Sequence, residues 1–187
     1  MRLFVALDFS AVVRGRLRDL IARLKTESGA ARWVPPEAMH ITLKFIGEAE
    51  ATKLDPLRAA LAEIHSAQPV EIQFCGLGFF PHERQPRALW CGVQASPNLA
   101  RLAADIDTVL RPLGFPAETR KFVPHLTLAR FPSNRGVGEI VAAANQFRSS
   151  EFGSDRETEF HLIESILKPS GAQYNRLASF AFVKEAP

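Results

Sequence analysis

The 187-residue chain has little of several groups on which common functions rest. Its only two cysteines, Cys75 and Cys91, are not spaced as Cys-x-x-Cys, which excludes the familiar zinc and dithiol motifs. Both lie in apolar, strand-like runs and read as buried thiols in a reducing cytoplasm. No apolar stretch nears the ~18 residues that a membrane span needs. The opening "MRLFVALDFS" is too short, and too soon broken by Asp8, for a secretory leader. The chain is therefore expected in the cytoplasm and away from membranes. Charge of one sign is also scarce: 23 Lys and Arg face 20 Asp and Glu, and the basic residues form no tail. Charge alone does not point to nucleic acid. There is no low-complexity linker. What is present is an ordinary globular balance, 47% hydrophobic and 23% charged, long enough for a sizeable core.

Hydrophobic spacing divides the chain into strands and helices. "RLFVALDF" is apolar and β-rich, a strand. In "SAVVRGRLRDLIARLKTES", Val13, Leu17, Leu20, Ile21 and Leu24 recur at helical spacing, with Ser10 as N-cap and Gly29 as stop. "TKLDPLRAALAEIHS" predicts a second helix with Thr52 as N-cap. "SPNLARLAADIDTVLRPLG" predicts a third, from Ser96 and Pro97 to Gly114. "GVGEIVAAANQF" is a short fourth. "PVEIQFCGLGFF" and "RALWCGVQA" are strands around a turn, and two closing strands join around Ser170-Gly171. This irregular alternation predicts an α+β fold of mostly antiparallel sheet.

One feature is not ordinary. "HITLKF" begins at His40, and "HLTLAR" begins eighty-five positions on, at His125. The contexts also match: "RWVPPEAMHITL" aligns with "RKFVPHLTL". A diverged internal repeat implies two lobes related by a pseudo-twofold axis. Strand side chains alternate faces, so His40, Thr42 and Lys44 share one face and Ile41, Leu43 and Phe45 the other. In the second copy His125 and Thr127 point away from Leu126 and Leu128. Two His-Thr pairs would then face each other across a groove. Imidazole titrates near pH 6.5, so one ring can take a proton from water while the other gives one to a leaving oxygen. The threonine hydroxyls can hold phosphate oxygens as negative charge develops. Protons and hydroxyls cover these charge changes, so no metal or other cofactor is expected. Neither motif carries a Cys, Asp or Glu at a zinc-ligand position.

These motifs resemble the two-histidine (2H) phosphoesterases, and more closely their RNA 2',3'-cyclic phosphodiesterase branch, also known as the 2'-5' RNA ligase family. The likeness runs end to end, through "RLFVALDF", "RWVPPEAMHITLKFIGE", "GFFPHERQPRALWCGV", "FVPHLTLARF" and "ESILKPSGAQYNRL". It implies one bilobal domain over residues 1–187, with the motifs at 40–45 and 125–130 lining a central groove. It implies hydrolysis of RNA 2',3'-cyclic phosphate ends to 2'-phosphomonoesters, with His40 as general acid and His125 as general base. Thr42 and Thr127 would bind phosphate oxygens. Arg130 would contact phosphate or nucleotide, although strict alternation puts it on the Leu face unless the strand ends or twists. Lys44 has the parity of a groove residue. Phe4, Phe9, Trp33, Phe45 and Phe131 are candidates to stack on a base, with Phe4 the one assigned to substrate. Tyr174 either reaches the groove or closes the sheet. His65, His82 and His161 read as structural or solvated. The implied partner is RNA with a cyclic phosphate end, or a small cyclic nucleotide, met by a monomer. Ligation of RNA ends can use the same groups, with a ribose hydroxyl in place of water. A non-catalytic RNA-end or nucleotide-binding module is the alternative.

Overall fold

The computed structural model describes residues 1–168 and 171–182. The junction expected at Ser170 lies outside the described residues. The chain opens with β1 (Arg2–Leu7), α1 (Ala11–Lys25), β2 (Arg32–Trp33), β3 (Ile41–Glu48) and α2 (Leu54–Ala62). β4 (Val70–Phe80), β5 (Ala88–Ala95), α3 (Asn98–Leu110) and β6 (His125–Arg130) follow. It closes with α4 (Val137–Asn145), β7 (Glu151–Glu157), β8 (Glu159–Lys168) and β9 (Gly171–Ala181).

The strands form two sheets, β3-β1-β8-β9 and β2-β6-β5-β4-β7. All their described pairings are antiparallel. The α+β class and the two-lobed arrangement are as expected, but the lobes are not successive halves of the chain. The last hairpin returns to pair with β1, so the first sheet takes strands from both chain ends. The helices also cross over. α1 follows a strand of the first sheet and packs on β7 of the second; α3 follows β5 of the second and packs on β3 of the first.

Helix α1 forms as its pattern requires. Val13, Leu17, Leu20, Ile21 and Leu24 are its buried face, and the Ser10 hydroxyl accepts from the Val13 amide at 3.4 Å. It stops at Lys25, four residues before Gly29, capped through the Thr26 amide. Thr52 lies in a single 3-10 turn ahead of α2 and makes no N-cap. Gly114 ends the third helical segment as expected, at φ 91°, in the left-handed region that suits glycine. Apolar residues from both sheets and all four helices join one continuous core. Cys91 is buried and Cys75 half-buried, both unpaired. No helix among the described residues is long and apolar enough to cross a membrane.

Candidate active site

Both His-x-Thr-Leu motifs sit at the start of a strand: His40 directly precedes β3, and His125 opens β6. Each ring is oriented in the same way. His40 Nδ1 donates to the carbonyl of Ala38, two residues back, at 3.0 Å. His125 Nδ1 donates to the carbonyl of Val123, also two residues back, at 2.7 Å. A carbonyl only accepts, so these bonds require the proton on Nδ1 and leave Nε2 as the nitrogen free for chemistry.

The strands then depart from strict alternation at the same motif position. Val5 pairs with Lys44 and Ala6 with Thr42, so Leu43 has no partner on β1. Leu89 pairs with Ala129 and Trp90 with Thr127, so Leu128 has no partner on β5. Each leucine is a one-residue bulge, and a bulge reverses which face the following residues occupy. This corrects two expectations and explains a third. Lys44 turns to the core side and is 6% exposed. Its Nζ donates to Asp107 on α3, and to the Pro116 carbonyl at 2.6 Å. It is an internal anchor and does not line the groove. Phe45, expected beside Leu43, turns outward and is 59% exposed. Arg130 leaves the leucine face and joins His125 and Thr127, with no need for the strand to end.

The two sheets present these residues to one groove. β3 and β6 approach each other, and the charge of Arg130 is felt at His40. Burial lowers the His40 pKa to about 4. The Ala38 carbonyl and Asp8 oppose that shift, and Arg14 and Arg130 add to it. His40 is therefore neutral at pH 7. Phe4 lies against the His40 ring, centroids 4.5 Å apart, and is 3% exposed. It supports the imidazole and offers a base almost no free face. Tyr174 does reach the groove: its ring meets His40 edge-on at 5.1 Å. Phe80 plays the matching part for His125, edge-on at 4.9 Å, and Trp90 packs behind it. Trp90 fits only because Gly78 faces it; a Cβ at Gly78 would overlap the indole ring.

Of the other aromatics, Phe9 packs on Phe74 and Phe131 on Phe79 in the core, and Trp33 is half-buried against it. His161 is buried and shares a 2.9 Å hydrogen bond with the Ser179 hydroxyl, a structural role. No three His, Cys, Asp or Glu side chains gather as a metal-binding group among the described residues.

Sequence reasoning missed the brace behind His40. Arg14 on α1 donates to the carbonyls of Pro36 and Met39, the latter at 3.3 Å, and pairs with Asp8. Arg176 holds the other oxygen of Asp8 at 2.7 Å. The turn that delivers His40 is thus tied to a helix and to the first and last strands. Arg14 looks like any polar-face arginine in sequence, so only spacing after folding reveals it.

A family model described as the 2'-5' RNA ligase superfamily matches residues 13–164. An RNA 2',3'-cyclic phosphodiesterase of Archaeoglobus fulgidus is 37% identical over 180 residues, covering 96% of this chain and 99% of that protein. One of Thermotoga maritima is 30% identical over 183 residues, covering 97% and 96%. Among solved structures, TT0787 of Thermus thermophilus aligns over 100% of both chains, with TM-score 0.82 and 28% identity. LigT of E. coli complexed with 3'-AMP aligns over 98% of both, with TM-score 0.76 and 26% identity. Sequence likeness over most of the chain and the same two-sheet architecture lead to one assignment: the chain belongs to the 2'-5' RNA ligase superfamily, the two-histidine phosphoesterases.

Proposed function

We propose that this chain is an RNA 2',3'-cyclic phosphodiesterase, which hydrolyses cyclic phosphate ends to 2'-phosphomonoesters with paired histidines and no metal. The relatives' activity supports the reaction class. One observation carries the mechanism: two His-Thr pairs on equivalent strands, each imidazole held through Nδ1 with Nε2 left free. His125 Nε2 takes a proton from water as its oxygen attacks phosphorus. The P–O3' bond breaks, and His40 Nε2 gives a proton to the departing O3'. Thr42 and Thr127 hold the non-bridging oxygens, and Arg130 offsets their charge. The acid role fits the buried His40 only when substrate is present. Burial by itself favours the neutral ring, and the phosphodiester's negative charge favours its protonated form. Ligation runs the same steps with a 5'-hydroxyl in place of water, making a 2'-5' linkage. Both half-sites come from one chain, so residues 1–187 work as one bilobal monomer. Two unpaired thiols suit the cytoplasm.

The test is turnover of a 2',3'-cyclic-phosphate RNA in chelator. The expected product is the 2'-phosphate. Replacing His40 or His125 by Ala should each cost roughly 100-fold or more in rate. Tight binding with no turnover would establish the non-catalytic binding module instead.

A further inference from the structure

We infer that the buried Lys44–Asp107 pair positions the proposed general base, His125, by strapping the segment that enters β6 to the strand of the other motif. The inference rests on the cyclic phosphodiesterase reading above and extends it to what keeps the base in its working tautomer. Lys44 and His161 are the buried polar side chains among the described residues. Burying an ammonium is costly unless it is paired. The fold does not need a charge at this place. Ala129, the counterpart of Lys44 in the second motif, is fully buried in the core with only a methyl group. The charge on β3 therefore needs a reason other than filling space, and its partners supply one.

The contacts run in a line from the first motif towards the second. Lys44 Nζ donates to the Asp107 carboxylate on α3 and, at 2.6 Å, to the carbonyl of Pro116 in the segment 114–124 that leads to β6. Asp107 Oδ1 also accepts from the Glu118 amide at 3.1 Å. The Glu118 carboxylate in turn accepts from the Arg120 amide and Nε, both at 3.1 Å, and from Nη2 at 3.2 Å. Phe122 packs half-buried against the core. Val123 follows, and its carbonyl accepts from His125 Nδ1. Neutral imidazole can carry its proton on either nitrogen, and the hydrogen bond made by one decides the state of the other. With the proton on Nδ1, Nε2 holds a lone pair and can take a proton from water. If the Val123 carbonyl drifts, the Nε2–H form gains population, and that form is a donor where a base is needed. The same logic holds in the first lobe, where Arg14 ties the turn that carries the Ala38 carbonyl. Each ring leans on a carbonyl two residues back, and each carbonyl has its own ionic support.

The test replaces both charges, Lys44→Met with Asp107→Leu, which removes the strap and leaves neither charge buried and unpaired. Such an exchange is close to neutral for stability, so Tm should stay near wild type. On adenosine 2',3'-cyclic phosphate, kcat should nevertheless fall roughly tenfold or more, with a smaller change in KM, because a misdirected catalytic group is costly. Long-range 15N–1H NMR at pH 8, above the ordinary imidazole range, reads the tautomers directly. His125 should be Nδ1–H in wild type and mixed in the double variant, with His40 Nδ1–H in both. A His125 that stays Nδ1–H, or a kcat that recovers with Tm, overturns the strap. So does a tautomer change at both rings, which would mean that β3 itself had moved. Should the double variant not fold, Glu118→Ala decides, because that residue is exposed and its loss frees Arg120 alone. A mixed His125 there supports the strap and an unchanged one overturns it. Wild-type protein that turns over no cyclic phosphate overturns the phosphodiesterase reading, while the tautomers still decide the strap.

Discussion

At the scale of single residues, the proposed chemistry depends on groups that do none of it themselves. Arg14 touches no proposed reacting atom, yet it holds the carbonyls of the turn that ends at His40. Arg14→Ala should lower kcat by roughly tenfold or more with a smaller change in KM, because displacing a catalytic group by about 1 Å is costly. Arg14→Lys should not rescue it, since one ammonium cannot reproduce the forked contacts. Steady-state kinetics on folded variants checks both, and a lysine variant with wild-type kcat would refute the bracing role. The His40 ring makes a second prediction. Followed by NMR, it should titrate near pH 4 in the empty protein. Its pKa should rise when a nucleoside 2'-phosphate is bound, because an anion stabilises imidazolium. An unmoved midpoint would break the link between substrate charge and the acid role.

At the scale of elements, the bulges are the decisive feature. Alternation correctly put His and Thr of each motif on one face, because that pattern is local to three residues. It failed beyond the leucines because a bulge is a property of two strands, and the partner strands lie far away in sequence. The same slip sends Lys44 inward, where it ties β3 to α3. Burial raises the Asp107 carboxyl, but hydrogen bonds from Lys44 and the Glu118 amide outweigh it and hold the carboxyl below its usual value. Lys44→Ala leaves that carboxylate without its cation. The expected loss is on the order of 3 kcal/mol, or ~6–12 °C in Tm for a chain of this size. Thermal unfolding measures it, and a shift under a degree or two would place Lys44 among solvated surface residues.

At the scale of the whole molecule, an acidic corner forms where both sheets meet α1. Burial, then Asp155, Asp8 and Glu159, push the Glu157 pKa up to about 7, against 4.5 for a free glutamate. A carboxyl whose folded pKa is raised is comfortable while protonated. Its cost to stability begins above pH 4.5 and is complete above about pH 7. Glu157→Gln should therefore raise Tm relative to wild type more at pH 8 than at pH 4. Equal differences at the two pH values would show that the corner is solvated. The sequence by itself determined the elements, the paired motifs and the family they resemble, because periodicity and motif content are carried by neighbours along the chain. It also marked His40, Thr42, His125 and Thr127 as side chains sharing faces. Only the tertiary structure decided that the closing hairpin completes the first sheet, that the helices cross between lobes, and that Phe45 turns outward and Arg130 leaves the leucine face while Lys44 turns inward. Those outcomes depend on which distant strand pairs with which, and on the register it imposes, and no local pattern encodes a register set by a partner elsewhere in the chain.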